Sequence, residues 1–295
     1  MQYKQLASLP KPDQLSAEHS KKVAHYIRSK IKKAGGQISF AEFMYEALYS
    51  KGLGYYNAGL TKFGRDGDFI TAPEVSTIFG RVLANQCIEV LAQIENGGIL
   101  EFGAGSGKLA VDILSALEEK KSLPRTYNIL EVSPDLEERQ KNKLKNDLPH
   151  MLDRINWLSE IPSNFEGVVI ANEVLDALPV ERFIKRKSGI YQLFVSLKGD
   201  TFSWTEEKAS DQLLKEVTFI EDEIGKSFPL NYQSEINFAA RSWVDYLGTF
   251  IKHGVVFLFD YGVSRREYYA IDRNDGWIRC YYRHYAHSNP LIYPG

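Results

Sequence analysis

Residues 99–107 read Ile-Leu-Glu-Phe-Gly-Ala-Gly-Ser-Gly, followed by Lys108-Leu109-Ala110-Val111. An apolar run closes on an acid, three glycines alternate with small residues, and a helical pattern opens. That order predicts a strand, a tight turn and a helix start. Gly103, Gly105 and Gly107 let the backbone turn sharply and approach a ligand closely, because no Cβ intervenes. The helix start behind them offers unpaired N–H groups and a positive dipole end. The spacing narrows the ligand. In the dinucleotide fingerprint G-x-G-x-x-G the last glycine stands where this chain has Lys108. A P-loop needs Ser or Thr after Gly-Lys, and here Leu109 follows. A turn that binds nothing is disfavoured, since each glycine weakens a purely structural element by about 0.5–1 kcal/mol relative to alanine.

Strands and helices alternate after this turn. Strand 127–132 precedes Ser133-Pro134, a cap and first-turn pair, and a charged helix to about 147. A short strand is predicted near 155–158 and another at 168–171. The βαβα order predicts an α/β fold with a mostly parallel sheet. Upstream, Ser16 is the predicted cap of a helix carrying Val23, Ile27 and Ile31. Ser39 and Glu42 form a capping box for a second helix. One helix is expected from Pro73 through Leu91. Residues 182–205 read as antiparallel strands, 206–225 as polar helix or loop, and 233–251 as a helix before the apolar strand Val255–Phe259. The domain expectation is an N-terminal helical cap with a Gly/Tyr-rich loop (1–70), an α/β core (71–181), a β-rich insertion (182–232) and the rest of the core (233–295).

Composition excludes more than it selects. The net charge of −2 gives no global field for nucleic acid or an anionic membrane. No run of 18 apolar residues predicts a membrane span. Cys87 and Cys280 are too few for a disulfide framework or a zinc site, and Cys87 lies in an apolar helical pattern. His284 and His287 lack further ligands, so no metal is expected. Asp13 and Glu18 give the N-terminus no presequence character. A cytoplasmic location is the resulting expectation.

Ligands of open α/β sheets lie beyond the carboxyl ends of strands. Glu131 ends the second core strand, where an acid can accept hydrogen bonds from both ribose hydroxyls of a nucleotide; the alternative is a solvated strand end. Asn172, Glu173 and Asp176 follow the fourth strand toward the same cleft; alternatively Asn172 is a turn residue and Asp176 a helix cap. Asp260 reaches the same rim. Tyr55, Tyr56 and Phe69 are either a cap over the cleft or core of the N-terminal part.

Four stretches together resemble the MidA-like family of class I S-adenosylmethionine (SAM) methyltransferases, which includes the mitochondrial complex I assembly arginine methyltransferase. They are Gly67-Asp68-Phe69-Ile70-Thr71-Ala72-Pro73-Glu74, Glu101 through Gly107, Ala171 through Val180, and Phe259-Asp260-Tyr261-Gly262. The resemblance covers about residues 20–295. It implies a Rossmann-like sheet with SAM held by Glu101, Gly103, Ala104, Gly105, Gly107, Glu131, Val132, Asn172, Thr71, Pro73 and Glu74. It implies transfer to a protein side chain, an arginine in the mitochondrial member, with Glu173 and Asp176 as candidate catalytic carboxylates. A respiratory-complex subunit is the implied partner. The alternative function is a non-catalytic assembly factor of the same fold. Family members also continue beyond His287 into further strands, so the C-terminal strands of the sheet are expected to be missing here. The Val255–Phe259 edge would then pair with a second copy in a homodimer, be covered by residues 263–295, or belong to a longer protein.

Overall fold

A computed structural model describes residues 10–58 and 71–295. The expectations for Gly67 to Ile70, Phe69 among them, lie outside the described residues. The first elements are α1 (Gln14–Lys33), β1 (Gln37–Ser39), α2 (Phe40–Tyr49), α3 (Ala72–Val75) and α4 (Ile78–Leu91). The glycine turn is flanked by β2 (Gly98–Phe102) and α5 (Lys108–Glu119). Then come β3 (Tyr127–Leu130), α6 (Pro134–Asp147), β4 (Ile155–Leu158) and β5 (Phe165–Asn172). An antiparallel stretch follows, β6 (Glu181–Arg186), β7 (Gly189–Lys198) and β8 (Thr201–Lys208), with α7 (Asp211–Ile224) and β9 (Gln233–Ile236). The chain continues through α8 (Phe238–Phe250), β10 (Ile251–Phe259), α9 (Arg265–Tyr268), β11 (Cys280–Tyr282) and β12 (Tyr285–His287).

The described residues form two units. One joins the N-terminal residues up to Ala58 with Leu178–Arg241 and Gly262–Gly295. Its sheet has the order β1-β7-β6-β9 with β8 paired to β7, and all these pairs are antiparallel. Val23, Ile27, Ile31, Phe40 and Phe43 pack on one face with Val195. Leu213, Val217 and Ile220 of α7 pack with Phe183 of β6.

The other unit runs from residue 71 to Ala177 and adds Ser242–Tyr261. Its sheet is parallel throughout, in the order β10-β5-β2-β3-β4. The chain moves outward from β2 to β3 and β4, then returns past β2 to β5. The topological switch therefore lies between β2 and β5, where such sheets bind ligands. Side chains alternate between two cores, as period-2 geometry requires. Ile99, Val168, Ile170, Phe257 and Phe259 face a core shared with α4, α5 and α6. Leu100, Phe102, Val169, Ala171 and Val256 face Trp243, Leu247 and Phe250 of α8. Both faces are covered, which explains the nearly continuous apolar runs of these strands. Near their amino ends, Gly98, Gly167 and Gly254 stand side by side across β2, β5 and β10. A Cβ on Gly167 would come within 1.9 Å of the Gly98 carbonyl oxygen.

Three expectations need correction. Asp13, not Ser16, caps α1: its carboxylate accepts the Ser16 N–H at 2.9 Å. The helix from Pro73 breaks at Ser76, which is extended, and the Ser76 hydroxyl accepts the Ile78 N–H as α4 begins. Residues 233–236 are strand, because pairing with β6 overrides the helical pattern. Val255–Phe259 is, as expected, part of an end strand of the sheet among the described residues, with Val255 39% and Leu258 38% exposed. Cys87 is buried in the core as expected.

Candidate functional site at the carboxyl edge of the parallel sheet

The strands end level with one another. Phe102 pairs with Leu130 on one side and Ala171 on the other, and Asn172 pairs with Phe259. Two main-chain bonds extend this alignment past the strand ends. Gly103 N–H donates to Leu130 C=O at 3.0 Å, and Glu173 N–H donates to Phe259 C=O at 2.8 Å. The residues after β2, β3, β5 and β10 are thereby brought to one edge, across the switch point.

The glycine loop has the left-handed backbone its sequence foretold, with φ of +62° at Gly103, +54° at Gly105 and +80° at Gly107. Gly107 is the N-cap of α5, whose first N–H groups face the loop. Ala104 is buried beneath it. Lys108 turns away into α5, with Nζ 2.5 Å from the Asp112 carboxylate. Its charge is matched within the helix, and a phosphate-binding role finds no support.

Gln140 of α6 joins the loop to Glu131. It is fully buried, and its Nε2 donates to Gly105 C=O at 3.1 Å and to Glu131 Oε2 at 2.8 Å. Its Oε1 accepts Trp157 Nε1–H at 3.1 Å. Glu131 Oε1 accepts the Ser133 N–H at 3.0 Å, so both carboxylate oxygens are oriented. Burial raises the Glu131 pKa against these hydrogen bonds. A carboxylate has about four lone-pair directions, so these bonds leave room for an outside donor. Val132, beside it, is 64% exposed, an apolar surface at the rim. The sequence reading missed Gln140. Its signal was a neutral amide between Leu136 and Leu144, at four-residue spacing on the buried stripe of α6.

Glu101 lies deeper. It is 1% exposed, and its Oε2 accepts the Tyr127 hydroxyl at 2.7 Å. Burial first, then the charge of Glu131, pushes its carboxyl up to about 7, while the Tyr127 bond opposes the shift. Pro73 is buried in α3, and Thr71 is the residue before that helix. Glu74 accepts a hydrogen bond from the Ser106 hydroxyl, which ties α3 to the glycine loop.

On the other side of the switch, Asn172 closes β5 and a turn carries Glu173 and Asp176. Neither is a helix cap, since no helix follows. Asp260 reaches this turn: its Oδ2 accepts Leu175 N–H at 2.8 Å and Asp176 N–H at 3.1 Å. Burial, with the charges of Asp176 and Asp260, pushes the Glu173 carboxyl up to about 7. Asp176 keeps an accessible edge, and crowding by protein atoms together with Asp260 moves it up to about 6. Three carboxylates thus share a small space, an arrangement that favours either protons or a cation. Among the described residues no group of three or more His, Cys, Asp or Glu is placed to hold a metal ion. Among them, too, no helix is long and apolar enough to cross a membrane.

A family model described as "Putative S-adenosyl-L-methionine-dependent methyltransferase" matches residues 82–295. The protein arginine methyltransferase NDUFAF7, mitochondrial, of Danio rerio is 32% identical over 207 residues, 62% of this chain and 48% of its own length. The NDUFAF7 homolog of Caenorhabditis elegans, with the same activity and location in its name, is 29% identical over 65% of this chain and 50% of its own. The chain spans about half the length of these curated relatives. A crystal structure of a Burkholderia thailandensis protein bound to S-adenosyl-homocysteine superposes with a TM-score of 0.90 at 35% identity, covering 98% of this chain and 74% of that one. The mitochondrial names overturn the cytoplasmic expectation. That expectation rested on few cysteines, no apolar run and an N-terminus without presequence character, all weak indicators of compartment.

Proposed function

The chain belongs to the family of S-adenosyl-L-methionine-dependent methyltransferases, and from that premise we propose that it methylates a protein arginine. The observation that carries the reading is the meeting of two half-sites at one sheet edge. One is the glycine loop with Glu131, and the other is the carboxylate turn of Glu173 and Asp176. The first half fits the cofactor. Glu131 has oriented oxygens for a pair of ribose hydroxyls, Val132 offers an apolar rim, and the left-handed glycines with the α5 N-terminus suit a close-lying polar group. Glu101 and Ala104 lie buried at that half, Glu74 is tied to the loop through Ser106, and Thr71, Pro73 and Asn172 join the cofactor set by the family resemblance. When bound, SAM supplies an activated methyl group and a good leaving group.

The second half would act on the acceptor. A guanidinium is protonated at neutral pH and is a poor nucleophile in that form. Paired carboxylates can hold it through two N–H donors and orient one nitrogen toward the donor methyl. Glu173 and Asp176, with raised proton affinity, can also take up the proton that leaves as the new N–C bond forms. A respiratory-complex subunit is the acceptor this reading favours, from the family resemblance. A homodimer paired along β10 belongs to the same proposal.

The test is incubation of the protein with methyl-labelled SAM and a mitochondrial extract, followed by mass spectrometry of the labelled band. Label on arginine is expected. Glu173→Gln and Asp176→Asn should keep S-adenosyl-homocysteine affinity within about threefold while losing transfer by about 100-fold or more. S-adenosyl-homocysteine binding without any transfer would favour the non-catalytic assembly factor. Absence of binding on folded protein would end the reading.

A further inference from the structure

The turn after β5 is held from β10. Asp260, the first residue past β10, collects three main-chain N–H groups on one carboxylate. Oδ2 accepts from Leu175 at 2.8 Å and from Asp176 at 3.1 Å, and Oδ1 accepts from Tyr261 at 2.8 Å. The Glu173 N–H bond to Phe259 C=O, 2.8 Å long, adds a fourth tie between the same two segments. Glu173 has φ of +52°, a conformation that non-glycine residues rarely keep without support from their surroundings. Here the support comes from the neighbouring strand.

We propose that Asp260 is the positioning residue of the acceptor half-site: it locks the 173–176 turn to the end of β10 and sets a third negative charge behind Glu173 and Asp176. The inference rests on reading that pair as the groups that receive the cationic acceptor. Asp260 would not touch the acceptor itself. It fixes the direction of the two carboxylates and makes their charge costly until a cation arrives. The titratable groups facing it are Glu173, Asp176 and Tyr261, whose hydroxyl lies 3.5 Å from Glu173 Oε1. The charge of Asp260 contributes to the upward shifts of Glu173 and Asp176, after burial in both cases and, for Glu173, after the charge of Asp176. Removing it should therefore make the pair easier to ionise.

The experiment is carbon-detected NMR titration of the side-chain carboxyls in the full chain, for wild type, Asp260→Asn and Asp260→Glu. Asparagine keeps an oxygen for the Leu175 and Asp176 N–H groups and drops the charge. In Asp260→Asn the titration midpoint of Glu173 should fall by about half a pH unit or more. In Asp260→Glu it should stay raised while the amide signals of the turn move. A midpoint in Asp260→Asn within about 0.2 units of wild type would overturn the proposal. Hydrogen exchange of wild type keeps the test open if a variant does not fold. Slow exchange of the Leu175 and Asp176 amides is expected, and free exchange of both would refute the lock. S-adenosyl-homocysteine titration of wild type separates the two readings. Its failure would sink the methyltransferase assignment and leave the carboxyl titration meaningful.

Discussion

Glu131 shows how one carboxylate is prepared for a ligand. It is placed by the end of β3, aimed by the Ser133 N–H, and fixed from α6 by Gln140. A charge-assisted hydrogen bond contributes roughly 1.5–3 kcal/mol, so loss of a carboxylate serving two hydroxyls should weaken binding by at least about 10–100-fold. Glu131→Ala is expected to do so in calorimetric titration with S-adenosyl-homocysteine, with a smaller effect on folding. Gln140→Glu sharpens the point. It replaces two donated N–H bonds by a second carboxyl beside Glu131, and two such groups can share one proton. Its cofactor affinity should drop at pH 8 and recover toward pH 5, whereas a purely structural defect would not recover. Unchanged affinity in both variants would leave Glu131 a structural carboxylate with no part in cofactor binding.

At the scale of elements, β10 is an end strand of the parallel sheet, beside the almost wholly buried β5 and β2. It pairs with β5 along eight residue positions, from Ile251 to Phe259 with an irregularity after Ile251. Its exposed side chains include Val255 and Leu258, and the Lys252 amine binds Glu166 at 2.6 Å. An end strand with apolar side chains exposes main-chain donors and acceptors that invite another strand. Sedimentation at rising concentration should reveal self-association. Val255→Lys should reduce it, since a lysine on an edge blocks strand addition. Monomers across the whole range would remove the dimer from the proposal. The glycine row across β2, β5 and β10 is a second property of elements: strands approach so closely at Gly167 that no side chain fits.

For the whole molecule, several carboxyls bind protons more tightly folded than unfolded. Glu101 is the clearest, raised from 4.5 to about 7 by burial, with Glu173 about 7 and Asp176 about 6. A raised carboxyl stabilises the fold below its unfolded pKa, and that stability is lost as pH rises through the folded value. The window for Glu101 is therefore between pH 4.5 and about 7. A shift of this size corresponds to on the order of 3 kcal/mol. The melting temperature should fall as pH rises from 4.5 to about 7. Glu101→Gln, which keeps an oxygen for the Tyr127 hydroxyl, should flatten that slope. An equal slope in the variant would place the proton elsewhere.

Local chemistry determined what the sequence alone could reveal. Alternating glycines before an amphipathic run can hardly be anything but a left-handed turn entering a helix, and φ at Gly103, Gly105 and Gly107 agrees. Ser39 and Ser133 cap their helices for the same local reason. The parallel sheet was legible too, because strands alternating with helices predict parallel pairing. The rest depended on contacts between residues far apart in the chain. Gln140 reaches Gly105 and Glu131 only because α6 packs against the loop, and no periodicity signals a hydrogen bond across 35 positions. Strand 233–236 exists because β6 offers it a partner, which outweighs its helical pattern. Asp260 meets Leu175 and Asp176, 85 and 84 positions away, because parallel strands end level at the sheet edge. Such bonds form only after the sheet has closed the distance, so the tertiary structure alone decides which polar groups meet.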